Sequence, residues 1–344
     1  MKPLTFMPLL LGLLVSCGGK VDEESETTAE VTYANDPTGS ESPEANGLSL
    51  GERLAAHFRY TSDFAAEDKL FLTFDMKNLA NWSDTSRPEA LAKLGAVTGL
   101  TTVNAETLSQ WYMDRVTYLY PDNSSEFDIG LIIPAEQGVY RTSFSSGAAN
   151  GVAALNISAS LFQILAQNQD QGVDGLQFLF DGDYLPFRST HEGIVKIGPN
   201  LFSPDDTQEE GQQVGTGYRL VKSLFRLNVL MHEARHSDGN TAAGSFGFAH
   251  VLCPDDGSVA SELVGLSACD KFANGAYNVG GQVISALIGI CDKDCSPADT
   301  GGLDAARIDV LSRILVDDVP ENYGDGTPEA ALPTIDTSAY SILE

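Results

Sequence analysis

Two histidines and a glutamate stand close together in the stretch HEARH, where His232, Glu233 and His236 form the pattern His-Glu-x-x-His. On a helix, side chains four residues apart lie one above the other, with Cβ atoms about 5–6 Å apart. The two imidazoles can then bind one metal ion from successive turns. Glu233 lies about 100° around the helix from His232, close enough to contact a water molecule bound to that ion. The pattern therefore predicts a metal site with a general base beside it.

The residues before this pattern predict a long buried helix over residues 217–238. One apolar stripe recurs at intervals of three and four: Leu220, Leu224, Leu227 and Met231. A second stripe leads into the two histidines: Val221, Phe225, Val229, His232 and His236. Thr216 is placed to cap the first amides, and Gly239 to adopt the left-handed turn after the helix. Because the histidines continue an apolar face, they need a metal ion or hydrogen-bond partners.

At these residues the sequence resembles the zincin metallopeptidases, whose signature is His-Glu-x-x-His on a helix. The strand-like segment GIVKIG, a polar loop and the histidine helix follow one another in an order similar to that of the edge strand and active-site helix in zincins. The resemblance implies that His232 and His236 bind Zn²⁺ and that Glu233 is the catalytic base. It also implies hydrolysis of peptide bonds by zinc-activated water.

The third protein ligand of such a zinc ion is not fixed by the pattern. The metzincin subgroup is excluded, because Ala242 stands at the position of its third histidine and no methionine follows Met231. Three residues remain as candidates: His250, Glu262 and Asp270. Imidazole is the commoner zinc ligand, and a glycine-rich segment before His250 can fold back towards the helix. We therefore expect His250, with Glu262 and then Asp270 as alternatives.

Three residues near the pattern have expected supporting roles. Arg235 is expected to pair with a carboxylate and fix the helix. Asp238 is a candidate for orienting a ligand imidazole. Tyr277 is expected to be a core residue, with donation to an oxyanion as the alternative.

The first residues of the chain predict where in the cell the protein is located. Residues 1–16 carry one lysine followed by an apolar run, which is typical of a secretory signal peptide. The stretch LVSC, ending at Cys17, resembles a bacterial lipobox, which implies a lipid on that cysteine. Gly18 follows without an acidic retention mark, so we expect a protein anchored to the outer membrane and facing the periplasm or the cell surface. Residues 17–47 are acidic and poor in large apolar side chains, which predicts a disordered tether.

The charge excludes one class of partner. The chain has 48 acidic and 20 basic residues and a formal net charge of −28. A surplus of this size disfavours binding to nucleic acid. We expect a peptide or protein substrate instead.

Four cysteines follow Cys17, all after the HEARH stretch: Cys253, Cys269, Cys291 and Cys295. In an exported protein an even number favours disulfides, and four cysteines allow three pairings. We prefer the local pairing, Cys253 with Cys269 and Cys291 with Cys295. The rival is a four-cysteine zinc site, although its paired Cys-x-x-Cys spacing is missing.

The remaining pattern predicts one α+β domain over residues 48–317 and an acidic tail over residues 318–344. Strands are predicted at residues 70–76, 128–134, 176–180 and 193–198. Helices are predicted at residues 105–118, 152–167, 217–238, 276–290 and 303–316. With the resemblance, this implies a zincin-like fold with a mixed sheet, a central active-site helix and a mostly helical C-terminal part. The functional alternative to a peptidase is a non-catalytic binding or structural lipoprotein that retains this fold.

Overall fold

The structure is a computed structural model that describes fourteen stretches of the chain: residues 48–60, 64–83, 86–119, 126–133, 138–145, 152–155, 177–180, 183–186, 193–197, 201–202, 216–236, 250–291, 294–316 and 341–342. The predicted signal peptide and the tether lie outside the described residues. So does the predicted tail, apart from residues 341–342. In the part of the chain that is described, no helix is long and apolar enough to cross a membrane.

Helices dominate the described residues. They are α1 (Leu50–His57), α2 (Ala66–Asn81), α3 (Pro88–Thr98), α4 (Ala105–Met113), α5 (Thr216–His236), α6 (Ala276–Leu287) and α7 (Pro297–Leu311). Short 3₁₀ turns cover Ser261–Leu263 and Ile288–Cys291. Ser49, Asn104 and Ser296 cap α1, α4 and α7 by accepting hydrogen bonds from main-chain amides of the first turn.

Ten strands form three sheets. The strands are β1 (Val116–Leu119), β2 (Glu126–Ile133), β3 (Gly138–Ser145), β4 (Val152–Leu155), β5 (Gln177–Phe180), β6 (Asp183–Pro186), β7 (Gly193–Ile197), β8 (Val251–Leu252), β9 (Ser267–Cys269) and β10 (Ser341–Ile342), counted over the described residues. The first sheet has the order β1-β7-β4, with β1 parallel and β4 antiparallel to β7. The second is antiparallel with the order β10-β3-β2-β5-β6, and β8 pairs with β9 in the third.

Helix α5 lies at the centre of the described core. It packs against α2, α6 and α7, and it also contacts β4 and β7 of the first sheet. Leu224, Leu227 and Met231, from the predicted stripe, are at most 1% exposed. At Gly280 a side chain would collide with the Asn228 amide, so α5 and α6 approach closely at this point.

Helices and strands occur together, as the predicted α+β class requires, and several predicted elements are confirmed. The predicted helix over residues 217–238 is α5, and the strands predicted at residues 128–134, 176–180 and 193–198 are β2, β5 and β7 within two residues. The helix predicted at residues 276–290 is α6, extended by a 3₁₀ turn. The helix predicted at residues 303–316 is α7, which starts earlier because Ser296 caps it and Pro297 occupies its first turn.

One prediction of secondary structure is wrong, and two are wrong over part of their length. The strand predicted at residues 70–76 is part of α2, whose buried residues Leu72, Met76 and Leu79 have helical spacing. The helix predicted at residues 105–118 ends at Met113, because the following β-favouring residues pair with β7 as β1. In the helix predicted at residues 152–167, the first four residues form β4, which also pairs with β7; residues 156–167 lie outside the described residues.

Candidate metal centre

Helix α5 brings two of the predicted ligands together at its C-terminal end. His232 and His236 occupy its last described turn and are 3% and 4% exposed. Their Nε2 atoms lie 3.3 Å apart, and their rings meet edge to face. The helical spacing thus directs both imidazoles to one point, as the sequence pattern predicts.

His250 completes a group of three histidines. Its Nε2 atom lies 3.1 Å from Nε2 of His232 and 3.2 Å from Nε2 of His236. The three side chains lie close enough to bind one metal ion. The proximity of His250 to the pair on α5 is therefore confirmed.

The strand pair β8–β9 and a disulfide hold His250 in place. His250 directly precedes β8, and Val251 of β8 pairs with Cys269 of β9. Cys253 forms a disulfide with Cys269, with their Cα atoms 5.2 Å apart. The second disulfide joins Cys291 to Cys295 after α6. These are the two local pairs favoured by the sequence. The alternative, a four-cysteine zinc site, is wrong, because all four sulfur atoms are bonded in disulfides.

Asp270 lies behind His250 and not among the three converging nitrogens. Its Oδ1 is 2.9 Å from Nδ1 of His250, and its Oδ2 accepts a hydrogen bond of 2.7 Å from the amide of Tyr277. The Asp270 amide donates to the carbonyl of Arg313, and the amide of Leu315 donates to the carbonyl of Asp270. Asp270 is 2% exposed, so this carboxylate is both buried and held on several sides.

Tyr277 forms one wall of the centre. Its ring stacks on His250 with the centroids 4.5 Å apart, and it meets the edge of His232 at 4.6 Å. Arg313 Nη1 donates to the Tyr277 hydroxyl at 3.3 Å, and Arg313 Nη2 pairs with Asp309. The predicted core position of Tyr277 is confirmed, since it is 2% exposed.

Burial is the main reason that the pKa of His232 lies well below its usual value. Desolvation is the largest effect that lowers its pKa well below the usual value, followed by His250, His236 and Arg313; a hydrogen bond with the Ala276 main chain acts in the opposite direction. Neutral imidazole is the form that binds metal ions.

Glu233 follows His232 on α5 and is 2% exposed. A carboxylate at such a position is costly unless it is paired or bound to a cation. Its burial and its position next to His232 in the helix are compatible with the predicted role as a base, which stays a prediction.

The other residues singled out from the sequence do not belong to the group of three histidines or lie outside the described residues. Glu262 is exposed in the 3₁₀ turn and accepts a hydrogen bond from Ser261. Arg235 Nε donates to the carbonyl of Asn274 at 2.9 Å, which ties α5 to the loop before α6; its predicted carboxylate partner stays a prediction. Asp238 and Gly239 lie outside the described residues.

Sequence reasoning missed the place of Asp270. It named Asp270 as a possible ligand, whereas the structure places it behind a ligand candidate. The available signal was its position next to Cys269, because a disulfide to Cys253 brings the residues flanking both cysteines together.

Comparison of the chain with protein-family models, with curated proteins and with solved structures finds no match.

Proposed function

We propose that the protein is a zinc-dependent peptidase with a zincin-like fold, in which His232, His236 and His250 bind Zn²⁺ and Glu233 is the catalytic base. One observation carries the proposal: three imidazole nitrogens from two separate parts of the chain converge within 3.3 Å of one another. The buried carboxylate of Glu233 follows directly on the same helix.

The distances between the nitrogens fit zinc. Zinc binds histidine nitrogen at about 2.0–2.1 Å in tetrahedral geometry, so neighbouring ligand nitrogens lie about 3.3–3.4 Å apart. The observed 3.1–3.3 Å is close to this spacing. Because the lone pairs of neutral imidazoles repel one another when they converge, a cation between them stabilises the arrangement.

The number of ligands favours catalysis over a structural role. Structural zinc sites have four protein ligands, whereas catalytic sites have three and keep one position open. The group found among the described residues has three histidines. The sulfur atoms of Cys253 and Cys269, which lie nearby in sequence, are held in a disulfide and do not supply a fourth ligand.

The chemistry follows from these residues. When bound to these three histidines, zinc would polarise a coordinated water molecule and lower its pKa to about 7, so that a neighbouring base can take its proton at neutral pH. Glu233 accepts the proton of the attacking water as the new carbon–oxygen bond forms at the peptide carbonyl. Glu233 then donates that proton to the leaving amine as the carbon–nitrogen bond breaks. The products are a carboxylic acid and an amine, so one water molecule is consumed for each bond.

The proposed place of this reaction is the outer membrane. A lipid on Cys17 would anchor the chain, and the acidic segment of residues 17–47 would hold the catalytic domain away from the bilayer. The substrate would then be a peptide or protein in the periplasm or at the cell surface. The net charge of −28 supports a partner other than nucleic acid.

The test compares two isosteric substitutions in the full chain. Glu233→Gln removes the base but retains the shape of the buried side chain, whereas Glu262→Gln makes the same change at an exposed glutamate. Zinc content and cleavage of a mixed set of denatured proteins are measured for both variants. We expect about one zinc ion per chain in each, with cleavage lost only in Glu233→Gln. Wild-type protein that binds zinc but cleaves nothing would instead support the binding or structural lipoprotein.

The third ligand is tested by His250→Ala. This variant should lose most of its zinc, because two protein ligands remain. Glu262→Gln should retain zinc at the wild-type level. If the zinc content of the two variants were reversed, Glu262 would be the third ligand.

A further inference from the structure

We propose that Asp270 is a positioning residue that fixes the proton of His250 on Nδ1 and so directs the Nε2 lone pair to the metal. This inference rests on the zinc site proposed above. It assigns to Asp270 a role through His250 and not direct contact with zinc or substrate.

Asp270 determines which ring nitrogen of His250 carries the proton. A carboxylate oxygen accepts hydrogen bonds, so the 2.9 Å contact between Asp270 Oδ1 and Nδ1 of His250 places the proton on Nδ1. A neutral imidazole carries one proton, and its other nitrogen then has a free lone pair. That nitrogen, Nε2, is the atom that faces His232 and His236. Asp270 thus selects the tautomer that binds metal.

Hydrogen bonds hold the side chain and the main chain of Asp270 in place. Its Oδ2 accepts from the Tyr277 amide in the first turn of α6, where the helix dipole favours a negative charge. The main-chain amide and carbonyl of Asp270 are both hydrogen-bonded to the segment that contains Arg313 and Leu315. The carboxylate has therefore little freedom to rotate away from His250.

Gly275, the residue before α6, leaves space for the Asp270 carboxylate. Its backbone has φ −78° and ψ −177°, which any residue can adopt, so conformation does not demand glycine here. A Cβ atom at this position would overlap the Asp270 carboxylate. Glycine is therefore needed to admit Asp270 to the helix end.

The ring of His250 is fixed in a second direction by Tyr277. The hydrogen bond to Asp270 acts at the edge of the imidazole, whereas the Tyr277 ring stacks on its face with an interplanar angle of 23°. Tyr277 also supplies the amide that holds Asp270. One residue of α6 thus orients both the histidine and its carboxylate partner.

The substitution Asp270→Asn tests this arrangement because an amide cannot satisfy both partners. If its oxygen accepts from His250, its NH₂ group faces the Tyr277 amide, and two donors meet. If the amide turns around, its NH₂ group faces Nδ1 and forces the His250 proton onto Nε2, where it blocks the metal. Loss of such a partner typically weakens metal affinity about 10–100-fold.

The experiment measures the zinc dissociation constant of the full chain by competition with a chelator. Asp270→Asn is expected to raise it about 10–100-fold. Asp309→Asn is the matched control, because Asp309 is a carboxylate bonded to Arg313 near the same site but does not contact His250. Gly275→Ala should also raise the constant, whereas Gly302→Ala, with open space around its Cβ, should not. An Asp270→Asn value within twofold of wild type, or an equal rise in Asp309→Asn, overturns the proposal.

A second measurement needs no variant and does not depend on folding of the mutants. Nitrogen-15 NMR of the zinc-loaded wild-type chain distinguishes a protonated ring nitrogen from one bound to metal. We expect the proton of His250 on Nδ1 and zinc on Nε2; the reverse assignment overturns the proposal. Because neither readout uses cleavage, failure here is distinct from failure of the Glu233→Gln test.

Discussion

Asp75 on α2 and Arg226 on α5 form a buried bidentate ion pair, with Nε to Oδ2 at 2.7 Å and Nη2 to Oδ1 at 2.9 Å. The guanidinium also lies over the ring of Phe71, 5.1 Å from its centroid. This pair lies six residues before His232 on the same helix. It therefore fixes α5, and with it the first two histidines of the metal centre, against α2.

Breaking this pair should destabilise the protein strongly. Asp75→Ala leaves the Arg226 charge buried without its carboxylate, which typically costs about 3–5 kcal/mol. We expect a loss of that size in the free energy of unfolding measured with urea.

The double variant Asp75→Leu with Arg226→Met is the control. Because it removes both charges and retains apolar volume, it should recover most of the lost stability. A double variant as unstable as Asp75→Ala would show that the pair is not isolated from other charges.

The close approach of α5 and α6 gives a second prediction. Gly280→Ala places a methyl group against the Asn228 amide, and overpacking of this kind costs about 1–3 kcal/mol. Gly302→Ala, in a helix and with open space around it, should instead stabilise the protein by about 0.5–1 kcal/mol. Thermal unfolding of both variants measures the difference. Equal effects of the same sign would contradict the close packing of α5 against α6.

The two disulfides should differ in their effect on zinc. Replacing Cys253 and Cys269 by alanine opens a loop with a sequence separation of 16 and should cost about 3 kcal/mol. It should also weaken zinc binding, because the bond holds the strands next to His250 and Asp270. Replacing Cys291 and Cys295, with a separation of 4, should cost about 2 kcal/mol and leave the zinc affinity unchanged. The zinc affinity of both variants is measured by competition with a chelator. An equal loss of zinc affinity in the two variants would contradict this account.

Zinc should stabilise the folded chain through the three histidines. At a free zinc concentration of 100 times the dissociation constant, the expected gain is about 2.7 kcal/mol. His236→Ala should remove most of this gain. His57→Ala is the matched control, because His57 is also buried but its Nε2 contacts the carbonyl of Val116 and it does not belong to the group of three histidines. The check is thermal unfolding with zinc and with a chelator; a zinc shift retained in His236→Ala would contradict the assignment.

The parts of the fold predicted correctly are those with a strong local pattern. Helix α5 was predictable because two apolar stripes and both histidines follow one helical period over many residues. The run at residues 70–76 wrongly predicts a strand because its Phe residues favour strands locally. Burial of Leu72 and Met76 in the core that also contains α5 decides in favour of a helix.

The sequence predicts the positions of the two histidines on α5. For the residues outside that helix it predicts only which residue types could take part. His232 and His236 are related by the geometry of one helix, which sequence spacing reveals. His250 and Asp270 are twenty residues apart and meet through the pairing of β8 with β9. The register of that pairing depends on tertiary contacts, so the sequence named both residues without separating the ligand candidate from its partner.

The most direct test of the zinc centre is a crystal structure of the zinc-loaded chain with anomalous data on both sides of the zinc absorption edge. We expect one zinc peak about 2.0–2.1 Å from the Nε2 atoms of His232, His236 and His250. The Asp270 carboxylate should accept hydrogen bonds from Nδ1 of His250 and from the Tyr277 amide and should not contact the zinc. A zinc peak elsewhere, or one bound directly by Asp270 or Glu262 in place of His250, would contradict the account.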